Sequence, residues 1–396
     1  MNTFIPLSPT PNAATKPSLS VFFSIAFRPF YTVAVLYGAL AILMWGPLGF
    51  LGSNELPSFL WHAHEMIWGY TGAVIVGFFL TAVATWTSQK PLRGLPLIGL
   101  LSLWLLARIA IYLPSGTLWA GVFGTLFYFG ATIALAKPII ASHNSRNFIA
   151  VAALGLFGLT HLWFHLSVFQ KVSLPSLYAL QTGLLMVAGI IGLIGMRIIP
   201  FFTSRALHTP AVNNPKPVML SALVIPMLMT LLMLAQQAPT AVAGLGLITM
   251  VINLVQLVRW YQRGVAATPL LWILYAGYAA TAIGVGLLGV SYAYAPALLS
   301  AATHLIAVGG IGLLTLGMMA RTALGHTGRA MVLPKPLLPA FWLMVAALII
   351  RLLASAWAEQ TWLLSTSALC FALALLLYAY RYLPWLVSPR ADGKPD

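Results

Sequence analysis

The sequence predicts an all-α polytopic membrane protein of about twelve transmembrane helices. Three observations carry that expectation. Of its 396 residues, 61% are hydrophobic and only 6% are charged, where a soluble domain carries about 25% charged residues. The apolar residues fall in runs of about 20 separated by short polar breaks, which suits helices rather than barrel strands. The basic residues of the connections, finally, are concentrated in every second one.

Taken in order, residues 1–18 are rich in Pro, Ser and Thr and read as a disordered cytoplasmic tail, with no signal-peptide pattern. Spans are expected at 22–50, 58–86, 95–113, 116–136, 148–169, 176–201, 217–236, 239–260, 269–289, 295–321, 337–357 and 362–383. They form a single transmembrane domain over 19–386, and 387–396 reads as a cytoplasmic C-terminal tail. Lys90 and Arg93, Lys137 and Arg146, Arg205 and Lys216, Arg259 and Arg263, and Arg329 and Lys335 occupy alternate connections. The remaining connections hold Lys171 and little else. Positive residues mark the cytoplasmic side, which places the chain in the inner (cytoplasmic) membrane with both termini cytoplasmic. The net charge of +15 is then a topology signal. Its expected contact is anionic lipid head groups, and nucleic acid is not an expected partner. A lone cysteine, Cys370, excludes disulfides, thiolate metal sites and covalently attached c-type haem.

Self-comparison reveals a repeat. His64 is followed by Gly69, Gly72 and Gly77, and His304 by Gly309, Gly312 and Gly317, at the same offsets. One span later, Pro96 precedes Arg108 by the same twelve residues that separate Pro339 from Arg351. This register suggests three four-helix units: spans 1–4, 5–8 and 9–12. The middle unit is less well preserved, although "GLIGMRIIPFF" ends span 6 much as "GLLTLGMMART" ends span 10.

Five of the eight histidines fall within spans. Counted from the span ends at 1.5 Å per residue, His64, His161 and His304 lie roughly 9–14 Å below the outer surface, and His62 and His165 about 6 Å. Five histidines from three distant segments therefore share one layer. His161 and His165, four apart, project from one helix face. His62 and His64, two apart, point to nearly opposite sides. Glu65, the only acid within a span, is placed to orient a ligating imidazole through its second nitrogen. Arg108 and Arg351 lie in the same outer half, where haem propionates would suit them. Such residues inside a bilayer mark a functional site. Neutral imidazoles with few acids favour a metal or haem site, with glycines beside a ligand admitting a flat macrocycle. A proton-coupled carrier is the rival reading. Of the loop histidines, His143 and His208 read as solvated, and His326, in the Gly-flanked "GHTGR" with Arg321 and Arg329 nearby, as a turn or helix-end residue, with anion binding as the alternative.

The stretches "FRPFY" (27–31), "WHAHEMIWGY" (61–70), "GFFLTAVATWT" (77–87), "RIIPFFTSRAL" (197–207) and "TLGMMARTALGHTGR" (315–329) resemble the NnrS family. The family commonly has Pro-Asn where this chain has Ala84-Thr85. The resemblance implies a membrane protein containing haem and copper, active in nitric oxide metabolism and resistance to nitrosative stress. Its motif residues here are Arg28, His62, His64, Glu65, His304, Arg321, His326 and Arg329. A second resemblance is architectural, to the catalytic subunits of haem–copper oxidases and NO reductases. It implies a low-spin haem, b-type and non-covalent, held axially between His64 and His304. This sequence lacks the adjacent His-His pair and the further His that hold the second metal there, so His161 and His165, with His62, would serve for a second haem or copper.

The expected function is NO binding, turnover or electron transfer at a histidine-ligated site in the outer half of the membrane; turnover would make the chain an NO-directed haem/copper oxidoreductase, and the sequence leaves that open. The expected partners are nitric oxide or a similar small diatomic, membrane lipids, and a quinol or membrane redox partner. The alternatives are a proton- or metal-coupled transporter using the same histidines, and a non-catalytic haem sensor or store.

Overall fold

The computed structural model describes residues 16–49, 52–53, 55–357 and 359–394. Residues 1–15 of the expected N-terminal tail, and 395–396 of the C-terminal one, lie outside the described residues. After a short helical turn at Leu19–Phe22, twelve apolar helices follow: α1 Phe27–Trp45, α2 Ser58–Thr87, α3 Leu95–Ala110, α4 Gly116–Ala141, α5 Phe148–Val168, α6 Ser176–Leu207, α7 Lys216–Leu234, α8 Pro239–Trp260, α9 Pro269–Ala293, α10 Pro296–His326, α11 Leu338–Ala356 and α12 Thr361–Leu386. No strand occurs among the described residues. Eleven of these helices are long and apolar enough to cross a membrane. The exception is α3, expected to run to 113. It stops at Ala110 because Pro114 bars the preceding residues from helical continuation. Its 16 residues span about 24 Å, short of a hydrocarbon core of about 30 Å.

The packing follows the repeat. Helices α4 and α5, α8 and α9, and α12 and α1 lie side by side, so the three four-helix units close into a ring. The second helix of each unit, α2, α6 and α10, turns inward. Their mutual faces line an apolar cleft with Ile75, Ile190, Ile194, Ile311 and Leu314, and Tyr70 and Thr315 join α2 to α10 by a buried 2.6 Å hydrogen bond. Burial is greatest in α2 and α6, where 78% of the apolar window is buried, followed by 72% in α9 and 67% in α1, against 44% in α10 and 33% in α7, α8 and α11. The outer helices expose Leu126, Ile133, Val251 and Trp342, an apolar belt suited to acyl chains.

Both α2 and α10 change character just after their histidines. Residues Glu65–Thr71 and Leu305–Gly312 are π-helical turns within otherwise α-helical segments. A π turn widens the helix and shifts its hydrogen bonds by one residue, and such turns recur at functional sites. Thr71 Oγ1 satisfies the Met66 carbonyl within the first one, at 2.7 Å. The repeat glycines are packing positions, not a cradle. A Cβ on Gly77 would sit 2.8 Å from Phe30 Cβ, on Gly309 2.6 Å from Ala280 Cβ, and on Gly312 2.8 Å from Met344 Sδ. The space expected for a macrocycle beside these glycines is filled by neighbouring helices, in the close approach common between membrane helices.

Helix ends and breaks are satisfied locally. Pro200 cannot donate to the Met196 carbonyl four residues back, and Asn214 Nδ2 takes that oxygen at 2.6 Å instead. At the start of α4, Glu55 accepts from the Thr117 N–H at 2.9 Å. That backbone donor holds its carboxyl below the usual range. At the other end of the chain, the Arg28 guanidinium donates to the carbonyls of Leu386 and Ser388, both at 2.8 Å, and of Trp385 at 3.3 Å. The Trp385 and Leu386 carbonyls belong to the last turn of α12 and Ser388 lies two residues beyond it, so a buried cation from α1 caps the last helix.

Candidate metal centre

His64 ends the first α-helical stretch of α2, one residue before the π turn, and points at α5. There His161 and His165, one turn apart, share a face as their spacing predicts. The three imidazoles are buried, with exposures of 0%, 0% and 4%. They offer one nitrogen each within 4.8 Å of one another. His64 Nε2 lies 3.1 Å from His165 Nε2. Two nitrogens bound to one ion at about 2.0–2.1 Å sit about 3–3.4 Å apart when they are neighbours in its coordination sphere. The closest pair already has that spacing, and small ring rotations bring in the third.

The surroundings set the tautomers. Glu65 Oε1, which can only accept when ionised, lies 2.7 Å from His64 Nδ1. The proton therefore sits on Nδ1, and the Nε2 lone pair faces the other two histidines. Thr125 Oγ1 meets His161 Nδ1 at 3.2 Å. His161 Nε2 is buried with no hydrogen-bond partner, an uncommon and costly state for a polar atom that a bound cation would relieve. On α4, Gly121 and Gly124 open the space for the rings. A Cβ there would lie 2.8 Å from the His165 ring and 2.6 Å from the His161 ring. Trp68, held by Thr160 at 3.2 Å, and Phe164 pack against His64 at centroid distances of 5.3 and 5.0 Å.

Behind His64 lies a small ionic cluster. Glu65 Oε2 accepts from Arg108 at 2.6 Å and from the Tyr37 hydroxyl. The expected orienting role of Glu65 matches this geometry. Arg108, expected to meet a propionate, meets Glu65 instead, because a buried guanidinium takes the nearest carboxylate. Tyr37, Thr125 and the Gly121/Gly124 pair were not singled out from the sequence. The one available signal was the G-x-x-G spacing on α4, which permits close approach along one helix face.

The other outer-layer residues lie elsewhere. His62 stacks on Trp45 at 4.1 Å and lines a separate cavity with His304 and Arg351, between α1, α2, α10, α11 and α12. The expected axial pair of His64 and His304 is therefore not assembled: His64 faces α5, while His304 shares its cavity with His62. His304 Nδ1 donates to the Ser300 carbonyl at 2.7 Å, which leaves Nε2 as its bare nitrogen. Arg351 donates to Ser355 Oγ at 2.8 Å and Ser300 Oγ at 3.0 Å. The donors suit a haem: an imidazole with a bare Nε2, and a guanidinium for a propionate. The cavity itself, about 70 Å³, does not hold a macrocycle with the side chains as they stand.

The remaining motif residues lie toward the basic end of the bundle. His326 packs on Phe27 at 5.5 Å and Arg329 on Trp385 at 4.3 Å. Arg321 lies 4.0 Å over Phe202. No curated protein matches the chain. A family model described as NnrS protein does match it, over residues 21–390, and so with nearly its whole length this membrane protein belongs to the NnrS family.

Proposed function

We propose that the chain acts in nitric oxide metabolism and resistance to nitrosative stress by holding one copper ion at His64, His161 and His165, where nitric oxide or a similar diatomic is bound or turned over. The observation that carries this is the 3.1 Å approach of His64 Nε2 and His165 Nε2, with Glu65 fixing the His64 tautomer. Three neutral imidazoles without thiolate suit copper. When bound, the copper supplies the redox chemistry and the binding position for a diatomic. The protein's own residues do the rest. His64, His161 and His165 present lone pairs to one point, Glu65 and Thr125 hold two of the rings, and Trp68 and Phe164 keep water away. A small neutral diatomic partitions into the bilayer, so a buried site needs no polar entry channel.

The haem implied by the family has its donors at His62, His304 and Arg351, in a cavity that must widen to admit it. The basic end of the bundle is taken as cytoplasmic, in the inner membrane, with anionic lipids around it and a quinol or membrane redox partner as electron donor. Proton- or metal-coupled transport is the rival reading. Glu65 counts against it: both of its oxygens are engaged by His64, Arg108 and Tyr37, whereas a carrier's acid must exchange its proton.

Metal analysis and visible and electron-spin spectra of the detergent-purified protein test the reading. The expected result is about one copper per chain, lost in His161→Ala and His165→Ala and kept in His304→Ala. Any haem band should show the reverse pattern. A preparation with no copper, and none taken up on titration, would overturn the assignment.

A further inference from the structure

A second candidate site, open at one side, lies at the basic end, below the apolar cleft between α2, α6 and α10. It is a cavity of about 790 Å³ whose polar wall carries Arg146, Arg197, Arg321, Arg390 and His326. Two of these cations are placed deep. Arg197 stands ten residues before the end of α6 and Arg321 five before the end of α10, about 15 and 8 Å along the axis. They come from the two segments, "GLIGMRIIPFF" and "GLLTLGMMART", that the sequence repeat matches.

The charge there has little internal compensation. The chain has five acids in all. Arg390 is paired with Asp392 at 2.6 Å, and no ion pair reaches Arg146, Arg197 or Arg321 among the described residues. Arg197 donates to Asn147 Oδ1 at 3.0 Å and Arg321 to the Leu270 carbonyl at 3.2 Å. Both acceptors are neutral. Arg321 is 5% exposed, and its Nε is buried with no hydrogen-bond partner. A buried guanidinium without a counter-charge is costly, and a planar fork is well matched to a phosphate or carboxylate. Phe78, Ile194, Ile198 and Met318 line both this cavity and the apolar cleft above it, so the polar chamber and the apolar cleft share an apolar wall.

We propose that this chamber binds a phosphate group carried on an apolar body. The phosphate meets Arg197 and Arg321 with Arg146 at the mouth, and the apolar part lies along the wall of Phe78, Ile194, Ile198 and Met318. An anionic phospholipid fits that description, and a free phosphate shares its head-group chemistry. The site is separate from the histidine cluster and does not depend on a metal there.

The test is binding to the purified full chain in a neutral detergent, read as thermal stabilisation. Three probes are used: a short-chain phosphatidylglycerol, the phosphatidylcholine of the same chain length, and inorganic phosphate. The expected result is stabilisation by phosphatidylglycerol well beyond phosphatidylcholine, with affinity about tenfold weaker or worse in R197Q/R321Q, the loss expected for one charge-assisted contact. Stabilisation by inorganic phosphate with no preference between the lipids keeps the anion site and makes a soluble anion its occupant. The proposal is overturned if neither anion stabilises the wild type, or if R197Q/R321Q retains the full preference. Should that double variant not fold, Arg146→Gln, an exposed change on the same wall, takes its place in the comparison under the same criteria.

Discussion

Glu65 is the only carboxylate within the twelve helices, and it serves three partners at once: His64, Arg108 and Tyr37. Replacing it by glutamine keeps the shape but removes the counter-charge of a guanidinium that is 5% exposed. Breaking one side of a buried ion pair costs about 3–5 kcal/mol. An amide N–H turned toward His64 Nδ1 would also move the imidazole proton to Nε2, the nitrogen that faces His165. Glu65→Gln is therefore expected to lower the melting temperature and to weaken copper binding by about 10- to 100-fold, the usual cost of losing an orienting partner. Melts in detergent and a copper titration measure the two effects separately. An unchanged copper affinity would mean that Glu65 stabilises the fold without setting the ligand.

At the scale of the element, the histidine face of α5 depends on α4 coming close, and Gly124 is where it does so. A Cβ there would lie 2.6 Å from the His161 ring, whereas one on Gly99 of α3 meets nothing within 4 Å. Gly124→Ala must displace His161 or part the helices, at about 1–3 kcal/mol for overpacking, and copper affinity should fall with it. Gly99→Ala should leave both properties unchanged or gain slightly, since alanine is the better helix former. Equal behaviour of the two variants in melts and copper titration would remove the close-approach argument. The same elements show what could be read from the sequence. The helix count, the pairing of His161 with His165, and the register of His64 and Arg108 with His304 and Arg351 all follow from spacing. Which histidine of α2 faces which neighbour does not. His62 and His64, two residues apart, are separated by about 200° around a helix, so only one can face α10. That choice is made by packing: Trp45 takes the His62 ring, and α5 takes His64. Nor do the π turns after His64 and His304 leave a local signal, because they depend on hydrogen bonds supplied by the tertiary setting.

For the whole molecule, the question is what makes twelve helices a closed ring when lipid offers apolar surface as good as any neighbour's. Hydrophobic burial cannot decide it inside a bilayer, so close packing and polar contacts must. The seam between the first and last helices is the critical one, since it joins segments more than 350 residues apart, and it has a specific polar fastener. Arg28 reaches the carbonyls of Trp385, Leu386 and Ser388 at the end of α12. The extended wall of that seam continues with Arg390, which donates to the His326 carbonyl at 2.9 Å. Arg28 was read in the sequence only as part of a family motif, and its role in closure could not be seen there because its partners are backbone atoms, which leave no mark on residue type. Arg28→Met keeps the apolar stem and removes the donors, leaving three buried or half-buried carbonyls without their cation. Each such loss costs about 1–3 kcal/mol. The variant is expected to melt earlier and to be cleaved by trypsin at Arg381 and Arg390 well before the wild type, because α12 frays from the ring. Copper binding at α2 and α5, on units one and two, should survive that opening. Loss of copper together with closure would instead mean that the histidine centre forms only within the completed ring.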